Sequence, residues 1–388
     1  MRGPDPIPLA RPDLGEREEQ LTLEVLRSGR LSLGPMLERF ERGLAARLGV
    51  ADSVGVSSGT AALHLGVRSF GWGAGDEVVT TPFSFVASAN CLLYEDATPV
   101  FCDVDPVTLN IDPDAGAAAV TERTAGILPV HILGYPAALA EIESIAARRS
   151  LGVLEDACEA LGARDADARP VGASGNPATF AFYANKQLTT GEGGMLVPAS
   201  PEAAAVARSE RNQGRATDMS WVSHERLGFN YRLTDVAAAL GVAQLERLDE
   251  LLAARARVAA MYAERLADLA GGTPAGDGDP AGLVLPCADR GSERRSWFVY
   301  AVRLPEGVDR DSVVADLAQR GIEAKAYMPC IHLLPHLRER FGFREGQFPV
   351  AEDASARLLA LPFFGALPES AIDRVCEALG EALRGRWV

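Results

Sequence analysis

Short apolar segments with the composition of buried strands alternate with helix-like segments between about residues 52 and 200. Neighbouring parallel strands need a long crossover connection, which is usually a helix, and both faces of such a sheet are then covered. The alternation therefore predicts an α/β fold with a mostly parallel central sheet. The strand-like segments are SVGVS, DEVVTTP, PVFCDVD, AGILPVH, LGVLED and ATFAFY. Ligands of such sheets bind at the carboxyl ends of the strands, so the residues that follow each segment are the candidate site.

The pattern changes after this region. From about Asp235 to Leu269 it predicts one long helix, with a stripe formed by Leu240, Leu245, Leu248 and Leu252. The Gly- and Pro-rich stretch 271–282 then predicts a boundary loop. We expect a large domain over residues 1–270, with an N-terminal helical segment, and a smaller C-terminal α+β domain over residues 271–388.

Charge and composition exclude several classes of protein. A net charge of −15 argues against general binding to nucleic acids or anionic membranes. No apolar run approaches the roughly 20 residues that span a bilayer, and residues 1–20 lack the apolar core of a signal peptide. The six cysteines form no CxxC pair and are expected to be buried thiols in a reducing cytoplasm. The five histidines show no metal-ligand spacing, so no bound metal is expected.

One lysine stands out in the stretch FAFYANKQLTTGEGGMLV, residues 180–197. Of the 38 basic residues, only Lys186 and Lys325 are lysines. Arginine cannot lose its proton to become a nucleophile, so a chain so poor in lysine retains one where that chemistry is needed. A phosphate-binding loop places its lysine after the glycines, whereas Lys186 precedes Gly191, Gly193 and Gly194. The P-loop interpretation is therefore rejected.

Two further features follow predicted strands. Ser57, Ser58, Gly59 and Thr60 open a helix, where free N–H groups and the helix dipole can bind a phosphate, although such a serine is more often only an N-cap. Asp156 follows LGVLE and is either a surface cap or the partner of a cationic ring nitrogen. A phosphate seat, an acid and a lysine are together what pyridoxal 5′-phosphate (PLP) requires of a protein.

The sequence resembles the DegT/DnrJ/EryC1/StrS family of PLP-dependent sugar aminotransferases, which have fold type I of the PLP enzymes. The resemblance covers nearly the whole chain, because ten motifs occur in the family's order. They are SGRLSLGP, SSGTAALHL, GDEVVTTPFSFVASAN, PVFCDVDPVTLNID, PVHILGYP, EDACEALGA, FYANKQLTTGEGGM, GFNYRLTDVAAALGVAQLERLD, YMPCIH and FPVAEDASARLLALPFF.

The resemblance implies roles around the cofactor ring. Lys186 would form the Schiff base with PLP and shuttle the proton. Asp156 would bind the pyridine nitrogen, and Phe85 would stack on the ring. Glu159 stands where the family usually has Gln, near the phenolic oxygen of the cofactor.

The resemblance also implies a phosphate site and a dimer. Gly59 and Thr60 would hold the phosphate, with help from Ser58. Asn230 would reach it from a second subunit, so the active sites would be shared in a homodimer. The family commonly has a serine at the position of Ala181, and its loss is expected to weaken cofactor retention or to shift the load to the other contacts.

Three residues are weaker candidates for substrate contact. His332, in YMPCIH, matches a family position near the substrate pocket, but a lone histidine is equally expected in the core. Tyr183 is expected to pack in the core beside the cofactor. Lys325 is either a solvated surface lysine or a contact to a substrate phosphate.

The predicted function is PLP-dependent amination of a nucleotide-linked keto sugar with glutamate as donor. The stretch FYANKQLTTGEGGM is most similar to that of relatives that aminate C4 of a 4-keto-6-deoxyhexose. Alternatives are a cyclitol aminotransferase and, from another class, a non-catalytic regulator that has kept the fold. Relatives that dehydrate sugars carry a histidine in place of the lysine, so Lys186 disfavours that reaction. The sugar, the nucleotide, the aminated carbon and the stereochemistry stay open.

Overall fold

The computed structural model describes residues 5–216, 223–271 and 282–384. Most of the predicted boundary loop, residues 272–281, lies outside this described part. The helices are α1 Glu16–Ser28, α2 Pro35–Leu48, α3 Gly59–Phe70, α4 Ala87–Leu93, α5 Pro113–Ala118, α6 Leu139–Arg149, α7 Pro201–Glu210, α8 Asp235–Glu246, α9 Leu248–Leu266, α10 Arg310–Gln319, α11 Pro335–Phe341, α12 Pro349–Arg357 and α13 Glu369–Arg384. The strands are β1 Val54–Val56, β2 Glu77–Thr80, β3 Thr98–Phe101, β4 Thr124–Leu128, β5 Gly152–Val153, β6 Glu155–Asp156, β7 Ala178–Ala181, β8 Gly194–Val197, β9 Tyr300–Arg303, β10 Lys325–Ala326 and β11 Leu358–Leu361.

The large sheet is mostly parallel, which confirms the predicted α/β class. Strands β3, β2, β4 and β5 lie side by side in parallel, and β6 pairs in parallel with β7. Backbone hydrogen bonds from Leu154 to Ile127 (3.1 Å) and from Asp156 to Pro129 (2.9 Å) join the two groups into one sheet. Strand β8 is antiparallel to both of its neighbours, β7 and β1.

The strands of this sheet are apolar because both faces are covered. Every residue of β1, β2 and β8 is buried. Some of the helices start where a capping side chain supplies an acceptor for the first N–H groups, as Ser58 does for α3 and Ser200 for α7. The carboxyl ends of β6 and β7 lie next to the start of α3, and this edge of the sheet carries the candidate site.

The prediction of one long helix from Asp235 to Leu269 is wrong. The helix breaks at Arg247, whose backbone leaves the helical region (φ −117°, ψ 18°), and the chain continues as α9. The two helices serve different cores, because α8 packs on α1 and α2 whereas α9 packs on α13. Small side chains, including Ala238 and Ala239, form the buried face of α8, and of the predicted leucine stripe only Leu248 is fully buried.

The C-terminal part forms a second, antiparallel sheet in the order β10–β11–β9, covered by helices α10 and α13. Its core includes Val258 and Tyr262 of α9. The beginning of the chain also pairs here, because Ile7 donates to Gly321 (2.8 Å) and accepts from Glu323 (3.0 Å). The boundaries 1–270 and 271–388 stay a prediction. None of the described helices is both long and apolar enough to span a membrane.

Candidate active site

Lys186 lies in the loop between β7 and β8, close to a carboxylate and an aromatic ring. Its Nζ atom is 3.7 Å from Glu159 Oε1 and 3.9 Å from the centroid of the Phe298 ring. The side chain is 12% exposed. The lysine amine is therefore largely shielded from water but still partly accessible, as a nucleophile that must meet a ligand requires.

Glu159 is the buried acid next to this amine. Its Oε2 accepts a hydrogen bond from the Leu133 backbone N–H (2.9 Å), and its Oε1 accepts one from the Tyr327 hydroxyl (3.1 Å). Burial raises the pKa of Glu159 above its ordinary value, although Lys186 opposes this shift. The tyrosine was missed by the sequence analysis, which singled out His332 from the same YMPCIH motif.

Asp156 is buried at the carboxyl end of β6 and is only 4% exposed. Its Oδ2 accepts a hydrogen bond from the Ser88 hydroxyl (2.7 Å), which also bonds to the Ser84 hydroxyl (2.8 Å). Its Oδ1 accepts from the backbone N–H of Cys158 (3.1 Å). This burial excludes the interpretation of Asp156 as a surface cap.

The start of α3 packs directly against the end of β7. A Cβ atom on Gly59 would lie 2.6 Å from the Cβ of Ala181 and 3.0 Å from the Sγ of Cys158, so only glycine fits there. Ser58 is the N-cap, because its Oγ accepts from the Ala61 N–H (3.1 Å). Thr60 is half-buried. The first N–H groups of a helix have no partner within it, and here they open beside Ala181.

Cys158 lies near the helix start as well as near the candidate acid and lysine. Its Sγ lies beside Gly59, and both Asp156 and Lys186 act electrostatically on it. It is half-buried, whereas the other five cysteines are buried as expected. All six thiols are free. The structure thus brings together the predicted lysine, the two acids and the helix start.

Two aromatic candidates point away from the core. Phe85 is 62% exposed and Tyr183 is 52% exposed. The expectation that Tyr183 packs in the core is wrong, because the chain leaves the sheet after Ala181 and the tyrosine lies in the connection to β8. Phe85 directly follows Ser84, whose hydroxyl bonds to Ser88 in the Asp156 network, and its side chain is exposed.

The two substrate candidates in the C-terminal part lie in different environments. His332 is fully buried, with its Nε2 3.1 Å from Glu352 Oε1 and its ring edge-to-face with Phe348 at 4.8 Å. Burial lowers its pKa, although Glu352 opposes this shift. This favours the core interpretation of the histidine. Lys325 is exposed on the edge strand β10.

Asn230 is exposed, and the segment that carries it is fixed by a network that the sequence analysis missed. The rings of Phe229 and Tyr231 stack at 4.9 Å. His64, inside α3, bonds to the Tyr231 hydroxyl (3.0 Å), and the Arg68 guanidinium lies 5.2 Å from the Phe229 ring. The base of the segment is therefore attached to the same helix that begins at Gly59.

No group of three or more His, Cys, Asp or Glu side chains within the described ranges is arranged to hold a metal ion. The available chemistry is that of an amine nucleophile, two buried acids and a helix N-terminus.

This fold is fold type I, the class of the solved aminotransferases that match the chain. The chain belongs to the DegT/DnrJ/EryC1/StrS aminotransferase family, whose sequence profile matches residues 12–380.

Individual relatives match over nearly the whole chain. The GDP-perosamine synthase of Caulobacter vibrioides is 37% identical over 380 residues, which cover 97% of this chain and 98% of the relative. S. venezuelae DesV, solved in complex with a ketimine intermediate, is 33% identical with a TM-score of 0.88 and coverages of 97% and 98%. DesI, solved in the presence of its TDP-sugar product, is 32% identical with a TM-score of 0.87 and coverages of 99% and 94%. The chain is thus a member of a sugar aminotransferase family and an enzyme of that class.

Proposed function

We propose that this protein uses PLP to transfer an amino group from glutamate to a nucleotide-linked 4-keto-6-deoxyhexose. The observation that carries the proposal is the buried arrangement of Asp156, Lys186 and Glu159 beside the N-terminus of α3. Two named relatives support the substrate class: one is a GDP-perosamine synthase, and another was solved with a TDP-sugar product.

The residues present fit the cofactor. Asp156 offers a buried carboxylate to a protonated ring nitrogen, and Lys186 offers a primary amine. Gly59 and Thr60 would bind the phosphate through the free N–H groups of α3 and the threonine hydroxyl. Phe85 would cover one face of the ring. When bound, PLP supplies an electron sink that stabilises negative charge on the carbon next to the transferred nitrogen.

Lys186 would act on the proton of that carbon. Its amine would take the proton from that carbon and deliver it to a second carbon. The position between Glu159 and the Phe298 ring limits where this amine can reach. Confinement of the reacting group in this way lowers the entropic part of the barrier.

Two hydrogen bonds would hold the Asp156 carboxylate in place for the cofactor. The Ser88 hydroxyl and the Cys158 N–H both donate to the carboxylate and fix its orientation before any ligand arrives. Such a preset carboxylate stabilises charge without reorganisation during the reaction. Glu159, whose pKa burial raises, would lie near the phenolic oxygen of the cofactor, with its Oε1 held by the hydrogen bond from the Tyr327 hydroxyl.

Ala181 stands where the family commonly has a serine, and this difference has a chemical consequence. It lies against Gly59, so a serine there would point its hydroxyl at the start of α3. The hydrogen bond that this serine would give to a phosphate is worth about 1.5–3 kcal/mol. Thr60, Ser58 and Asn230 of the partner subunit would carry the phosphate instead. Ser58 can donate its hydroxyl proton while its oxygen caps the helix.

The proposal is tested with the PLP-loaded protein. We expect a yellow protein that loses its colour when glutamate is added, and regains it when a nucleotide-linked 4-keto-6-deoxyhexose follows. A panel of dTDP-, UDP- and GDP-linked 3-keto and 4-keto sugars, with a carbocyclic ketone as a further member, identifies the substrate through product mass and NMR. Turnover of the carbocyclic ketone alone would replace the sugar assignment by a cyclitol aminotransferase. A protein that never responds to any amino donor would favour the regulator.

We also propose a homodimer in the cytoplasm with two shared sites. Asn230 is exposed on a segment held by His64 and Arg68, so it is available to a second subunit. If the sites are shared, mixing Lys186→Ala protomers with Asn230→Trp protomers creates heterodimers with one intact site. Random mixing should then restore roughly a quarter of wild-type activity from two inactive proteins. A fully active monomer in sedimentation at micromolar concentration, or no restoration in verified heterodimers, contradicts the assignment of Asn230.

A further inference from the structure

A buried arginine contacts the backbone of the site lysine. Arg255 of α9 is only 6% exposed. One terminal nitrogen, Nη2, donates to the carbonyl oxygens of Asn185 (3.1 Å) and Lys186 (3.0 Å). The other, Nη1, donates to those of Phe298 (3.1 Å) and Trp297 (3.4 Å). One guanidinium thus joins two chain segments that are more than 100 residues apart.

No carboxylate in the described part of the chain pairs with Arg255. Burial alone lowers its pKa to about 10, so it stays protonated at neutral pH. A buried cation without an anion is costly, and carbonyl dipoles can offset that cost only when they are well aligned. The planar fork of arginine has donors on two edges, which suits two separate pairs of carbonyls, whereas a lysine ammonium is a single point charge.

The two bound segments carry the two groups that meet in the site. One segment contains Lys186 itself, and the other contains Phe298, over whose ring the Lys186 Nζ lies at 3.9 Å. Arg255 therefore ties the lysine backbone to the segment that carries this ring, beside a second link in which Gln187 Nε2 donates to the Ser296 carbonyl oxygen (3.1 Å). A shift of about 1 Å in such an arrangement can cost a hundredfold in rate.

We propose that Arg255 is a positioning residue that fixes the Lys186 backbone against Phe298 and so holds the lysine amine between the Phe298 ring and Glu159. The inference rests on the proposed function of Lys186. It adds that the lysine loop is attached to the C-terminal core, because Val258 and Tyr262 of the same helix pack there. The Tyr262 hydroxyl donates to the Pro362 carbonyl (2.8 Å), and the Arg255 guanidinium lies 5.6 Å from the Phe363 ring.

The test compares Arg255→Met and Arg255→Lys with a matched control, Arg357→Met. Arg357 is also buried (8% exposed) and donates to a backbone carbonyl, that of Leu304 (2.8 Å), but it does not touch the lysine loop. The first readout needs no amino donor: PLP is added to the apo protein, borohydride is added at intervals, and mass spectrometry measures the fraction of Lys186 covalently joined to cofactor. The second readout is kcat and KM for the amino donor, per folded molecule.

We expect Arg255→Met to slow covalent capture of PLP at least about tenfold and to lower kcat by about 10- to 100-fold with little change in KM. Arg255→Lys should fall between this variant and the wild type, because an ammonium can serve only one of the two segments. Arg357→Met should lower the melting temperature while capture and kcat per folded molecule stay at wild-type values.

Three results would overturn the inference. They are wild-type capture and kcat in Arg255→Met, an equal loss in Arg357→Met per folded molecule, and a loss expressed only in KM. If Arg255→Met does not fold, Arg255→Lys decides, and wild-type capture in that variant refutes the inference. Failure of the proposed function is a separate result, because it appears as wild-type protein that captures PLP on Lys186 but aminates no ketone.

Discussion

Replacement of Lys186 by alanine is expected to abolish transamination while the protein still binds PLP non-covalently. Only a neutral primary amine can both attack the cofactor carbonyl and carry the proton between carbons. Among the described lysines, Lys186 is the one whose amine lies beside Glu159, with its Nζ 3.7 Å from Oε1. Activity should fall by at least about 10³-fold, which is the order of magnitude expected when a covalent catalytic group is removed. Product formation in a coupled assay, with the absorption spectrum of the bound cofactor, measures both effects.

Two substitutions control for this result. Lys186→Arg keeps the charge and length but should be as inactive as alanine, because a guanidinium is not deprotonated in proteins. Lys325→Ala removes the other lysine of the chain, which is exposed on β10, and should leave covalent capture of PLP unchanged. Undiminished turnover in Lys186→Ala would end the proposed mechanism.

The sheet could be predicted because its signal is local. Strands β1 to β4 are short, largely apolar runs that lie between helices, and burial on both faces leaves this pattern in the sequence. The break at Arg247 could not be predicted, because the chain on both sides of it consists of good helix formers. It follows from packing, since α8 must bury alanines against α1 and α2 while α9 turns towards α13.

The residues of the site also divide into those that a local pattern predicts and those that it does not. Lys186, Asp156 and Gly59 each follow or begin an element, so the rule for strand ends located them. Other side chains reach the site from distant segments. Arg255 lies 69 residues from Lys186 in sequence, and Phe298 and Tyr327 lie further away, so no local pattern marks them. Their roles depend on long-range contacts that exist only in the folded chain.

His332 and Tyr183 show the limit of motif reasoning. The motif YMPCIH contributes a tyrosine to the site, through the bond from Tyr327 to Glu159, and places its histidine in the core. His332 is buried against Phe348 and Glu352, the N-cap and a first-turn residue of α12, and Glu352 lies 20 residues further along the chain. A motif locates a segment, and the fold decides which of its side chains faces the site.

The second large effect is expected at Asp156. Asparagine has the same shape, so Asp156→Asn should keep the bond to Ser88 and the fold, but it removes the negative charge. A ring nitrogen opposite a neutral amide would no longer be held protonated, and the electron sink would be lost. We expect kcat to fall on the order of 10³-fold, with the covalent capture of PLP by Lys186 retained. Steady-state kinetics and borohydride trapping measure the two quantities separately.

Asp165→Asn is the matched control for that substitution. Asp165 is as buried as Asp156, at 5% against 4% exposure, but its carboxylate pairs with Arg169 at 2.8 Å, and it belongs to no part of the candidate site. Loss of this pair should reduce the melting temperature and leave kcat per folded molecule at the wild-type value. If Asp156→Asn instead keeps kcat within about threefold of wild type, a difference of under 1 kcal/mol in barrier height, the charge of Asp156 is not what drives the reaction. The buried carboxylate of Glu159, 3.7 Å from the lysine amine, would then be the acid to substitute next.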